Sequence, residues 1–214
     1  MKRITILLTT LIFTVFGQVA FGFGIPDIPG VPSIPGIGAA KSVEAGPLVA
    51  QLNEVLANLV RSDSLIQQAL KISGDAAAQE ALAKKLDSGT ATDPELLKTV
   101  TADQDKTSKE LKAFKGTLDA ESKKKLAQAL PYYGKALARS AGLATQLTGA
   151  AQAITANPMS VVGGNFSAPD LINIFTTSPG VLKNLVTTGY DLSTFAKVEL
   201  KDDPEAQDNL AAMK

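Results

Sequence analysis

The chain has 214 residues, 45% of them hydrophobic and 20% charged, which suits one globular domain with an appendage and excludes a disordered chain. It contains no cysteine and no histidine, and its 21 basic residues balance 21 acidic ones. Disulfide staples, thiolate or imidazole metal sites, His-assisted nucleophiles and a basic nucleic-acid footprint are thereby excluded.

At the N-terminus, Lys2 and Arg3 precede an apolar run over residues 4–16 and a small-x-small triplet, Ala20, Phe21 and Gly22. This pattern predicts a bacterial-type signal peptide over residues 1–22, cut after Gly22, and hence export to the periplasm or the medium. An uncleaved anchor is the alternative, because no charge occurs between Arg3 and Asp27. The absence of cysteine rules out lipoprotein attachment. Removing Lys2 and Arg3 leaves 19 basic against 21 acidic residues, a net charge of about −2.

Residues 23–38 form a segment of a different kind, with Ile or Val before Pro at every third position. A residue before Pro is driven to extended backbone and Pro holds φ near −65°, so a polyproline II ribbon is expected. Its three-residue turn places Ile25, Ile28, Val31, Ile34 and Ile37 along one edge. Collagen is excluded, since Gly24, Gly30 and Gly36 recur only at every sixth position. The five β-branched residues call for burial, so the reading is a strap of roughly 40 Å along the protein's own helices. A spacer and a ligand for a partner's aromatic groove remain as alternatives.

Residues 39–156 read as helical. Leu48, Leu52, Val55, Leu59, Ile66 and Leu70 mark a first long helix, with Ser62 at its weak seam position. Gly74 and Asp75 end it, and a short helix with Leu82 and Leu86 follows. Thr92, Asp93, Pro94 and Glu95 signal the start of a third helix, which carries Leu96, Val100, Thr107, Leu111 and Phe114 on one side; its polar middle predicts a surface location. A fourth helix is expected over 120–156, with a heptad seam from Leu126 and Leu130 to Leu147 and Ile154 and a kink at Pro131. Its seam shrinks to small residues at Ala144 and Ala151.

Residues 157–214 read as short capped pieces over 171–175, 181–186 and 192–198, with Asp203 and Pro204 opening a last helix. No alternating strand of useful length occurs. The fold class is therefore all-α, a bundle of about four helices with a long antiparallel pair, the N-terminal polyproline-type strap and a C-terminal cap of short helices.

Catalytic chemistry is sought without result. Ser122 and Lys125 have the spacing of a Ser-Lys pair, but they lie in the charged run Lys123, Lys124 and Lys125 and no second motif supports them. Asp103 and Asp105 open a calcium-loop pattern that fails at Ser108 and Phe114, where Gly and Glu are needed. The glycines 163 and 164 lack the context of a phosphate loop, and the sequon at Asn165 is a pattern only. No catalytic, cofactor-binding or metal-binding residue is assigned.

Two charge biases remain. Residues 106–139 hold nine basic and three acidic residues, whereas residues 191–214 hold six acidic and three basic. Between Arg139 and Lys183 the only charged residue is Asp170. The reading is an exported non-enzymatic protein that binds another envelope or secreted protein, or itself, through Lys123, Lys124 and Lys125 and the small-residue seam at Ala144 and Ala151. The alternative is a membrane-active or lipid-binding protein using the charge-poor region 140–182.

Overall fold

The computed structural model describes residues 42–72, 74–89, 92–162 and 166–213. The signal peptide and the proline ribbon, with Ile25, Ile28, Val31, Ile34 and Ile37, lie outside them, as do residues 163–165. The described chain is all-α: α1 (Ala45–Ala69), α2 (Ala76–Asp87), α3 (Pro94–Ala113), α4 (Ala120–Ser140), α5 (Leu143–Ala156), α6 (Ala168–Glu199) and α7 (Pro204–Ala212). A parallel pairing of Val43–Glu44 (β1) with Val161–Val162 (β2) joins the start of α1 to the segment before α6.

Side-chain caps set most helix starts. Asp75, Asp93, Asp119, Ser167 and Asp203 each accept a hydrogen bond from the backbone N–H three residues on, satisfying a donor that the helix itself leaves open. Pro occupies the first turn of α3, α6 and α7, where its missing N–H costs nothing. The cap of α3 is Asp93; Thr92 beside it turns inward and donates to Asn53 of α1.

Helix α1 is the buried spine. Leu52, Val55, Leu56, Leu59 and Ile66 are fully buried, and Asn53, Ser62, Asp63 and Gln67 are buried between them. Helix α4 returns antiparallel along it: Arg139 pairs with Glu54 at 3.0 Å, and Lys125 donates to Gln68 at 2.9 Å near the opposite end. Helix α2 lies on α1 through Ala83 and Leu86, fixed by Arg61 to Asp87 at 2.6 Å. Helices α3 and α6 run side by side in the same direction, joined by Asn184 to Asp105 at 3.1 Å, Ser108 to Asp191 at 2.6 Å and the Leu118 N–H to Glu199 at 3.0 Å.

Two expectations change in the folded chain. The helix expected over 120–156 is two helices, broken at Gly142, whose φ of +75° lies in the left-handed region that ends a helix. Pro131 is carried inside α4 on an exposed turn, where water can take up the carbonyl it leaves unbonded.

The expected C-terminal cap of short pieces is instead the 32-residue α6, followed by α7. Its buried row, including Leu171, Phe175, Leu182, Leu185, Leu192 and Ala196, continues past Pro179. Thr176 and Thr194, residues that favour turns elsewhere, donate back to the carbonyls four residues earlier at 2.7 and 2.9 Å. The polar middle of α3 lies largely at the surface, and within it Gln104 and Thr107 are buried.

Helix α6 meets α4 at Gly189. A Cβ there would stand 2.9 Å from Cε1 of Tyr133 and 3.4 Å from Cδ1 of Leu137, so only glycine allows this approach. Gly180, by contrast, has open space around its Cα. The expected outcome in urea unfolding is that Gly189→Ala lowers stability by about 1–3 kcal/mol through overpacking. Gly180→Ala is neutral or gains up to about 1 kcal/mol from helix propensity.

Candidate functional site

Two features stand out from the rest of the helical body. The first is a groove of about 1000 Å³ between α4 and α7, closed on one side by Leu65 of α1. Its α4 wall carries Lys123, Lys124 and Lys135 together with Ala127, Pro131 and Tyr132, and its α7 wall carries Asp203, Glu205, Ala206 and Asn209. The heptad pattern of α4 explains this wall: Leu126, Ala129, Leu130 and Tyr133 go to the core, so the lysines turn outward.

Helix α7 is acidic at its start and seated by Ala206 and Leu210, each 1% exposed. Among the described residues no carboxylate lies within ion-pair distance of Lys123, Lys124 or Lys135. Lys135 lies 6.0 Å above the ring of Tyr132. The arrangement is thus a cationic wall with an apolar floor, facing an anionic wall it does not neutralise.

The five residues expected to meet a partner are not brought together. Lys123 and Lys124 line the groove; Lys125 is held by Gln68 of α1. Ala144 and Ala151 lie on α5. Ala144 borders a shallow depression with Thr145, Thr148, Gly149 and Gln152, whereas Ala151 is 5% exposed, leaving it little surface to offer. From the sequence Tyr132 and Lys135 were not expected to meet a partner and Pro131 was expected only as a kink, although all three fall on the α4 face opposite its heptad seam.

Ser122 is buried in the first turn of α4, hydrogen-bonded with Asp119, while Lys125 turns to Gln68. The two side chains thus take different partners. Asp119 itself accepts from Lys71 at 2.7 Å, which with the Ser122 N–H holds its carboxyl below the usual range.

The second feature is a buried polar layer. Asp63 and Gln67 are buried on one face of α1 and Gln104 and Thr107 on one face of α3, with Asp103 of α3 near enough for its charge to act on Asp63. Asp63 Oδ1, Gln67 Nε2, both amide atoms of Gln104 and Thr107 Oγ1 have no protein hydrogen-bond partner. Gln67 Oε1 accepts from Gln79 of α2 at 3.3 Å, and Tyr133 donates to the Leu185 carbonyl at 2.6 Å.

Burial, and secondarily the charge of Asp103, push the Asp63 carboxyl well above the usual carboxylate range. Burial raises Asp103 as well, with Lys106 and a hydrogen bond from Gln79 opposing. Burial and then Asp63 raise the Tyr133 phenol. Among the described residues no group of three carboxylates is placed to hold a metal ion, and no helix is long and apolar enough to cross a membrane. No family model, curated protein or solved structure matches the chain.

The polar layer makes stability respond to pH. The folded state holds the Asp63 proton more tightly than the unfolded chain does. Its contribution is therefore complete below the unfolded carboxyl pKa of about 3.9 and is lost as pH rises from there through the raised folded value. Urea midpoints measured between roughly pH 4 and 9 are expected to fall with rising pH in the wild type. Asp63→Asn, which keeps the shape and removes the ionisation, is expected to flatten that fall.

Proposed function

We propose that the chain is an exported, non-enzymatic helical protein that works by binding an acidic segment of another envelope or secreted protein. The observation that carries this reading is the α4 wall of the α4–α7 groove, where Lys123, Lys124 and Lys135 stand around Tyr132 and Pro131 with no carboxylate in ion-pair contact among the described residues. Apolar side chains beside unpaired cations on the α4 wall suit a partner that brings both carboxylates for that wall and an apolar anchor.

In this reading the helices form a bundle of about four around the antiparallel α1 and α4, and the ribbon of residues 23–38 is its strap. Residues 1–22 are a cleaved signal peptide. The sequence supports export through Lys2, Arg3, the apolar run and the Ala20-to-Gly22 triplet. The groove supports protein binding independently of that address.

Crosslinking of the native protein is expected to yield an acidic partner whose crosslinks map to α4 and α7. Lys123→Glu combined with Lys124→Glu should lower its recovery roughly tenfold or more while leaving the circular dichroism unchanged, since both residues face solvent. Unchanged recovery would sink the reading. Fractionation of the host with intact-mass measurement is expected to find a species beginning at Phe23 outside the cytoplasm; a cytoplasmic species retaining Met1 would overturn the export assignment.

A further inference from the structure

Helix α6 turns a second surface outward, and its charges are sorted by side. Asp191 is held by Lys112 at 2.9 Å and Ser108 at 2.6 Å, and Glu199 accepts from the Leu118 N–H at 3.0 Å; both acids thus lie on the flank that meets the α3 segment. From Asn173 to Val198 the exposed residues of α6 include Lys183 and Lys197 but no acid. Between these lysines, Val186 and Tyr190 are 60% and 75% exposed, and Val198 one position on is 67% exposed.

The row 183, 186, 190, 194, 197 follows steps of three and four, so these side chains share one face of α6 beyond Pro179. A 32-residue helix is about 48 Å long at 1.5 Å per residue. On its other side the exposed residues of α5, among them Thr145, Gln146, Thr148 and Gln152, carry no charge. Beyond the helix, exposed Lys201 and Asp202 offset each other.

We propose that this outward face of α6 is a docking surface for an anionic bilayer. Val186, Tyr190 and Val198 enter the headgroup region, and Lys183 and Lys197 meet lipid phosphates. Charge complementarity selects this occupant: protruding apolar side chains, a tyrosine with an apolar body and polar tip, and lysines with no exposed carboxylate on the same helix face, Asp105 of α3 lying to one flank where Asn184 binds it, are what an anionic interface attracts. Since no described helix is long and apolar enough to cross a membrane, the contact is one of lying on the surface. The inference is separate from the α4–α7 groove and uses none of its residues.

The test is co-sedimentation of the full chain with vesicles of phosphatidylcholine alone and of phosphatidylcholine with phosphatidylglycerol. Binding is expected to the anionic vesicles, to weaken with added salt, and to fall roughly tenfold or more both in Lys183→Glu/Lys197→Glu and in Val186→Ser/Tyr190→Ser. The Lys123→Glu/Lys124→Glu variant is expected to bind as the wild type. No binding to the anionic vesicles, equal binding to the neutral ones, or unchanged binding by either α6 variant would overturn the proposal. So would loss confined to the α4 variant.

Discussion

The whole arrangement depends on the contact between Tyr133 of α4 and the backbone of α6 at Gly189. The phenol reaches the Leu185 carbonyl at 2.6 Å, and its ring occupies the space that any Cβ at position 189 would need. One buried aromatic thereby fixes the separation of two helices and, through its hydrogen bond, the position of one along the other. Helices α3 and α5 both pack on α6, so their placement follows from that contact.

Around this contact the core is less uniform than its leucine content suggests. Asp63 and Gln67 of α1 and Gln104 and Thr107 of α3 are all buried, and each unpaired polar atom among them carries a desolvation cost. Such a layer weakens an apolar interface, yet it penalises any register in which these groups would face leucines instead. Asp63 is the costliest member. Burial favours its neutral form, which couples the helix interface to proton concentration.

The charges are distributed by the same geometry. Several acids cap helix starts or pair with Lys71, Lys112 and Arg139, and others such as Asp105 and Glu110 of α3 are exposed, while lysines on the groove wall of α4 and the outward face of α6 are left open to solvent. A chain of zero formal charge therefore presents two cationic strips of different character. One lines a groove walled by α7; the other lies on a convex helix among exposed apolar side chains. The difference in shape is the basis for assigning them different occupants.

Much of this was legible from residues alone. Heptad spacing located α1 and the core face of α4, Asp203 with Pro204 marked the start of α7, and the missing histidine and cysteine closed off most catalytic templates. Those features are local: spacing, caps and side-chain chemistry depend on neighbours in the sequence.

Only the tertiary structure decided the rest. Thr-rich segments with Pro179 and Gly189 read as helix ends in isolation, yet a continuous buried row against α3, α4 and α5 carries α6 through them, since burying an apolar face outweighs weak local propensity. Gly142 broke a helix that its heptads would have continued. The burial of Gln104, the groove under α7 and the sorting of lysines from acids on α6 all depend on which helix lies beside which. Spacing within one helix determines which residues share a face, but not what that face will meet.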